Sequence, residues 1–285
     1  MTEPTIGKYR ILVQLGEGHS SSLYLAEDTS IHRKVALKVA PHSADTTECS
    51  PAFQREAWRS SALNHPNVAT IFDVGTDGTL DYLAAEWLEG GTLRQRLKRG
   101  ALPSDDTLDI AIGVARALQA SHEAWFVHRD IRPENIMLRT SHPVGGIDFD
   151  RAALIGGGED VDPLASPRGR AGILQYLSPE QVRGDTIIDS RSDVYSLGIV
   201  IYEMLGGTLP FKTRATLDIL AAIVEIAPAP LDTAVPVAIR KIVERILQKS
   251  IHDRYQTAEE LLDDLMTVRL DLEMRRREQE RQQLN

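Results

Sequence analysis

The sequence predicts an α+β chain in two lobes, the first a five-stranded antiparallel sheet with one helix and the second mainly α-helical. Three observations carry that reading. Residues 8–16, 22–28 and 34–40 alternate apolar and polar side chains with period two. The turn-forming run Glu89-Gly90-Gly91-Thr92 then interrupts the pattern. Beyond it, helical periodicity dominates to the end.

In order, KYRILVQLG (8–16), SLYLAED (22–28) and KVALKVA (34–40) each end at a turn signal and form an antiparallel meander. PAFQREAWRSSAL (51–63) reads as a helix, with Ser50 as its cap and Pro51 at a tolerated first-turn position. VATIFDVG (68–75) and TLDYLAAEWL (79–88) supply the last two strands, so the lobes divide into 8–88 and 89–268. SDDTLDIAIGVARALQASHEA (104–124) follows as a helix capped by Ser104, burying one face through Leu108, Ile112, Ala115 and Leu118. Further helices are predicted at 191–206, 214–225, 235–249 and 257 to about 280. Residues 140–175 show little periodicity and include Gly156-Gly157-Gly158, Pro163 and Pro167, and such long loops in compact proteins are usually functional. The charged tail 269–285 spaces Asp271 with Arg275, Glu273 with Arg277, and Arg276 with Glu280 for i,i+4 pairing. It reads as a solvated helix end, the start of a linker, or a coiled coil.

Composition narrows the function classes. The 285 residues are 42% hydrophobic and 26% charged, an ordinary globular balance. Lys plus Arg total 32 against 41 Asp plus Glu, a net charge of -9, so no global field holds a polyanion and nucleic acid is not an expected partner. The single cysteine, Cys49, forms no intrachain disulfide. The opening MTEPTIGKYR lacks a signal-peptide pattern and no apolar run approaches membrane-spanning length, so a cytoplasmic location without a membrane segment is expected.

Several residues are suited to phosphate chemistry. In LGEGHSSSLYLAED, Gly16 and Gly18 let the backbone turn and approach a ligand. A dinucleotide site needs a helix directly after its glycines, whereas here a strand pattern follows. A glycine hairpin over phosphates or a plain hairpin turn remains. Lys38 in VALK faces away from Val35 and Leu37, and points to an anion unless it is an ordinary surface lysine. VHRDIRPENIM (127–137) places the Asp130 carboxylate and the Asn135 amide on one loop. An aspartate there can take a hydroxyl proton, and an asparagine oxygen with a second carboxylate can ligate a hard divalent cation; a structural salt bridge in a turn is the alternative. Asp148, thirteen residues after Asn135, follows a short apolar strand, as a magnesium ligand at a strand end would.

The ordered set GEG, VALK, Glu56 in FQREA, HRDIRPEN, DFD, SPE (178–180), RSDVYSLGIVIYEMLGGTLPF (191–211) and KSIHDRY (249–255) resembles the eukaryotic-type (Hanks-type) protein kinase domain, bacterial serine/threonine branch, over residues 8 to about 268. The resemblance implies the bilobal kinase fold, with 8–88 the ATP-binding lobe, 89–268 the catalytic lobe and 269–285 a tail or linker start. It implies that Leu15, Gly16, Glu17 and Gly18 cover the nucleotide, and that Lys38 binds the α- and β-phosphates and pairs with Glu56. Glu86 and Leu88 would offer hinge backbone to adenine, with Leu23, Ala36, Val39 and Met137 near it. Asp130 would orient the substrate hydroxyl and take its proton, and Asn135 and Asp148 would hold magnesium, with manganese as the alternative. Arg129 would meet an anion, Glu180 and Arg254 would form a buried ion pair, and Asp193 would hold the catalytic-loop backbone. The implied activity is transfer of the ATP γ-phosphoryl group to protein serine or threonine hydroxyls, with autophosphorylation through a homodimer.

Departures from the family pattern are specific. Ser21 replaces the third loop glycine and Asp150, followed by Arg151, replaces the glycine of DFG, which keeps a pseudokinase or nucleotide-binding scaffold as the alternative. Arg132 stands where a lysine touches the transferred phosphate, and a planar guanidinium differs from a point ammonium. Ile173 replaces a threonine. Residues 149–177 contain no threonine, one serine (Ser166) and one tyrosine (Tyr176), so phosphorylated Ser166, or unmodified Glu159, Asp160 or Asp162, is the expected anion for Arg129. Ala85 before the hinge predicts an open back pocket.

Overall fold

A computed structural model of the chain describes residues 4–17, 21–42, 49, 54, 63–138, 146–147, 153–154, 174–211 and 216–283. The first part is one antiparallel sheet: β1 (Thr5–Ile6), β2 (Tyr9–Glu17), β3 (Ser22–Asp28), β4 (Arg33–Pro41), β5 (Ile71–Asp77) and β6 (Leu80–Glu86), in spatial order β1-β2-β3-β4-β6-β5. The sheet therefore has six strands rather than the expected five. The added β1 is two residues long, too short to show a period, and pairs Thr5 with Arg10 and Ile6 with Tyr9. The strand expected to begin at Val68 begins at Ile71, because residues 65–68 form a turn closed by Val68 N–H donating to His65 O at 3.0 Å. Between β5 and β6, Gly78 at φ +59° takes the first central position of a two-residue turn, where a side chain would be strained.

Strand alternation on β4 decides which residues meet a ligand. Val35, Leu37 and Val39 pack with Tyr9, Ala26 and Ala84 into a small core, while Ala36 and Lys38 face the other way. Val39 thus belongs to the core and not, as expected, beside adenine with Ala36. Two register shifts in β2, between Ile11 and Val13 and between Gln14 and Gly16, add one residue each, and such bulges bend and twist a strand.

The second part holds α1 (Leu93–Leu97), α2 (Ser104–Glu123), α3 (Pro179–Arg183), α4 (Ser190–Gly206), α5 (Thr216–Glu225), α6 (Val237–Ile246), a short 3-10 turn Ile251–Asp253, and α7 (Ala258–Gln283), with two-residue strands β7 (Phe126–Val127), β8 (Ile136–Met137), β9 (Gly146–Ile147) and β10 (Ala153–Leu154). Five of these helices, α2, α4, α5, α6 and α7, match predicted ones within a few residues. The α2 cap is Pro103, not Ser104, and the helix buries most of its circumference, adding Ile110, Ala111, Val114 and Ala117 to the expected face. Apolar periodicity underestimates such a helix because alanine and glycine on its remaining sides suit close packing by α4 and α7. The expected helix 51–63 and most of segment 140–175 lie outside the described residues.

Helix α7 passes 268–269 without a break and runs along α2. Leu261, Leu262 and Leu265 are buried, Arg269 Nε donates to Asp109 Oδ1 at 2.7 Å, and Arg276 Nη2 to Asp105 Oδ2 at 2.5 Å. Glu273, expected to pair with Arg277, pairs with Arg269 instead, at 2.8 Å. Arg269, already held by Asp109 across the helix pair, is the better-ordered partner for Glu273, since less side-chain freedom is lost in pairing with it.

Close packing of α4 on α6 leaves no room at Gly198, where a Cβ would lie 2.1 Å from Ile246 Cγ2 and 3.0 Å from Leu247 Cδ2. Gly198→Ala is expected to lower stability by about 1–3 kcal/mol, the overpacking cost outweighing the gain in helix propensity, as checked by denaturant unfolding. An unchanged midpoint would contradict this packing.

Candidate active site

The loop from β7 to β8 carries His128, Arg129, Asp130, Arg132 and Asn135, and α4 anchors its entry. Asp193, fully buried, accepts from His128 N–H at 2.8 Å and from Arg129 N–H at 2.7 Å, and His122 Nε2 lies 2.8 Å from its Oδ2. A carboxylate in an apolar helical core requires this many partners. Arg129 is held at φ +64°, a left-handed conformation costing a side-chain-bearing residue about 1–3 kcal/mol. Its carbonyl accepts from Gln181 Nε2 at 3.0 Å, and its guanidinium Nη2 donates to Ile188 O at 3.5 Å. Asn135 Nδ2 donates across the loop to Asp130 Oδ2 at 2.8 Å and to Asp130 O at 2.9 Å. With both amide hydrogens engaged, the group Asn135 can offer a cation is its carbonyl oxygen, a hard donor of the kind magnesium takes. Arg132 Nε stands 3.3 Å from Asp130 Oδ2.

In the sheet, register puts Leu23 opposite Lys38, and Ala36 opposite Ala85, so Leu23, Ala36, Lys38 and Ala85 share the face away from the small core. Gly16 pairs with Leu23 inside the ladder, so it lies in a strand, where the sequence suggested a turn, and a Cβ there would meet nothing within 4 Å. Leu15, beside the second β2 bulge, is exposed. Glu86 N–H donates to Thr70 O at 2.8 Å, and Leu88 is buried. The crossover that follows is tied to the loop's exit: Leu138 N–H donates to Gly91 O at 2.8 Å, and Thr92 bridges to Met137. Across β8 and β9, Ile136 pairs with Ile147, and Met137 with Gly146. Gly18, Glu56, Asp148 and Ser166 lie outside the described residues, as do Asp150, Arg151, Glu159, Asp160, Asp162 and Ile173, and Glu17 is described in its backbone only.

The protein kinase domain family matches residues 9–266. The chain belongs to the protein kinase family. It is 34% identical over 269 residues to a probable serine/threonine-protein kinase of Clostridium perfringens, covering 93% of this chain and 38% of that protein. It is 37% identical over 273 residues to the serine/threonine-protein kinase PknB of Mycobacterium leprae, covering 92% and 43%. Identity to PknB of Mycobacterium tuberculosis is 36% over 283 residues, covering 94% and 44%. The kinase domain described here thus spans about two-fifths of the length of these relatives. Protein kinases as a family use ATP and a divalent metal ion.

The kinase domain carries a fully buried ion pair between α3 and the segment before α7. Arg254 Nη1 donates to Glu180 Oε1 at 2.8 Å and Nη2 to Oε2 at 2.9 Å, with side-chain exposures of 0% and 3%. Ser192 Oγ donates to Glu180 Oε1 at 2.6 Å. Burial alone would raise the Glu180 carboxyl, but the Arg254 guanidinium outweighs it and holds the group below the ordinary carboxylate range.

Nearby, Lys249 Nζ donates to Ile223 O at 2.6 Å, at the end of α5, and stands 4.3 Å from the Phe211 ring centre. Burial first, and then the positive Arg254, lower the Lys249 ammonium from 10.5 to about 8. The unfolded chain therefore binds more protons than the native kinase domain between those values, so this lysine makes stability rise with pH from about 8 toward 10.5. Unfolding free energies of the wild type and of Lys249→Met should diverge in that sense; parallel pH profiles would refute it.

Sequence reasoning missed the group around Arg94, whose guanidinium meets Glu134, Glu203 and Tyr176. Its helix is five residues long and the partners lie 40 to 109 positions away, so local pattern carries no signal of it.

Proposed function

We propose that this chain transfers the γ-phosphoryl group of ATP to serine or threonine hydroxyls of proteins, with Mg2+ as the preferred metal and Mn2+ as a substitute. The observation that carries the reading is the Asp130 carboxylate, nearly buried, aimed by Asn135 Nδ2 and Arg132 on a loop whose entry Asp193 holds. In this reading Asp130 accepts the substrate proton as the hydroxyl oxygen bonds to phosphorus and the bond to the ADP oxygen breaks. Asn135 and Asp148 would hold the metal, which neutralises charge on the phosphates when bound. In sequence Asp148 directly follows Ile147, whose strand partner Ile136 directly follows Asn135, which supports that assignment. Lys38, with Glu56 as its partner, would bind phosphates beneath the loop of Leu15, Gly16, Glu17 and Gly18. Glu86 and Leu88 would meet adenine, and Leu23, Ala36 and Met137 would flank it.

We take 8–88 as the nucleotide lobe, 89–268 as the catalytic lobe, Arg129 and Ser166 as regulatory, and a homodimer acting in the cytoplasm as the route to autophosphorylation. No helix among the described residues is long and apolar enough to cross a membrane. The pseudokinase alternative rests on Ser21 and Asp150, and among the described residues nothing favours it. Transfer of labelled phosphate from ATP to protein, with Mg2+ or Mn2+, compared across wild type, Lys38→Met and Asp130→Asn, tests the proposal. Incorporation should be lost in both variants; equal incorporation in all three would end the enzyme reading.

A further inference from the structure

We propose that Arg94 is a positioning residue that fixes the exit half of the Asp130–Asn135 loop by clamping it to α4 and to Tyr176; this rests on the phosphotransfer reading above. Its guanidinium joins three separate stretches of chain. Nε donates to Glu134 Oε1 at 2.7 Å, Nη1 donates to Glu203 Oε1 at 2.6 Å, and Nη2 donates to the Tyr176 hydroxyl. Tyr176 in turn donates to Glu203 Oε2 at 2.5 Å, which closes a ring of three side chains, Arg94, Tyr176 and Glu203. The Arg94 backbone N–H donates to Pro133 O at 3.0 Å, so one residue holds Pro133 by main chain and Glu134 by side chain.

The loop thus has two anchors. Asp193 holds its entry at His128 and Arg129, and Arg94 holds its exit at Pro133 and Glu134. Asp130 and Asn135 lie within that span, and their mutual bonds determine where the carboxylate points. Loss of the exit anchor leaves the Asn135 side of that pair free to shift. A planar guanidinium spreads its donors over three nitrogens in a rigid fork and so reaches Glu134, Tyr176 and both Glu203 oxygens together, a span the single nitrogen of an ammonium does not cover. Burial alone would weaken the Arg94 proton affinity, but the Glu203 carboxylate more than reverses this, and burial together with Glu203 drives the Tyr176 hydroxyl up, so both groups remain donors. Helix α1 also follows the crossover beyond Glu86 and Leu88, and the Thr92–Met137 bridge joins it to β8. Arg94 therefore links the segment assigned to adenine with the loop assigned to proton transfer.

Amide hydrogen exchange and steady-state kinetics on Arg94→Met and Arg94→Lys test the proposal. In Arg94→Met, amides of residues 130–138 should exchange at least about tenfold faster while those of α4 are unchanged. The turnover number should fall about 10- to 100-fold, as expected for a small misplacement of a reacting group, with ATP affinity changed less than about threefold. Arg94→Lys should recover only a minor part of the loss. Unchanged exchange at 130–138 in folded Arg94→Met, acceleration that extends equally through α4, or a loss confined to ATP affinity would each overturn the assignment. Should Arg94→Met not fold, Glu134→Ala removes only the half-exposed loop contact; it must speed exchange at 130–138, and no change there overturns the proposal. If the wild type transfers no phosphate, exchange still decides the role of Arg94 while the phosphotransfer reading alone fails.

Discussion

Replacing Asp130 by asparagine is expected to lower the turnover number for phosphotransfer by about 10²- to 10⁴-fold, the usual worth of a positioned proton acceptor. The variant should remain folded. An asparagine has the same shape, and its side-chain oxygen still accepts the 2.8 Å bond from Asn135 Nδ2. Arg132, 3.3 Å from the carboxylate and only one-fifth exposed, loses its ionic partner but keeps the asparagine oxygen as a polar neighbour, so the cost in stability stays small beside the loss of turnover. What disappears is the ability to take a proton from the attacking hydroxyl. Titration with a fluorescent ATP analogue should give affinity within about threefold of wild type, so the loss falls on turnover. Retained turnover in this variant would remove Asp130 from proton transfer.

The largest effect on stability is expected at Arg254. Arg254→Met leaves Glu180 as an uncompensated charge in the core and should cost about 3–5 kcal/mol, as broken buried pairs do. Glu180→Gln combined with Arg254→Met should restore much of that, since the penalty belongs to the stranded charge more than to the lost attraction. The pH dependence carries the sign. In the wild type the Glu180 carboxyl is held below its ordinary value of 4.5, so its contribution is present above that pH and disappears as pH falls through the lower folded value. Without Arg254, burial, the largest influence, raises the group against only the Ser192 hydroxyl and a main-chain hydrogen bond, so the variant's deficit should shrink on acidification. Urea unfolding of both proteins from neutral to acidic pH would show it, and a deficit independent of pH would contradict the assignment.

Much of this was legible in the chain. Period-two alternation located β3 and β4 because each has one face on a core and one off it, and the same alternation turned Lys38 away from Val35 and Leu37. The Asp130–Asn135 pairing could be read because its members are five residues apart on one loop. Other readings failed for physical reasons. Val39 was assigned beside Ala36 although an offset of three along a strand places two side chains on opposite faces. The helix at 104–123 was given one buried face because its alanines, neutral by pattern, pack against α4 and α7.

The sequence by itself determined the family, the α+β division and the identities of the groups that suit phosphate chemistry, since charge, donor type and short spacing are properties of covalent neighbours. Tertiary structure decided which of those groups are fixed and by what. Asp193 reaches back 64 residues to the Arg129 amide, Arg254 reaches 74 to Glu180, and Arg94 reaches 109 to Glu203. Such partners are chosen by how helices pack, because a buried charge accepts whichever complementary group the packing delivers, and packing leaves no periodic trace in the order of residues.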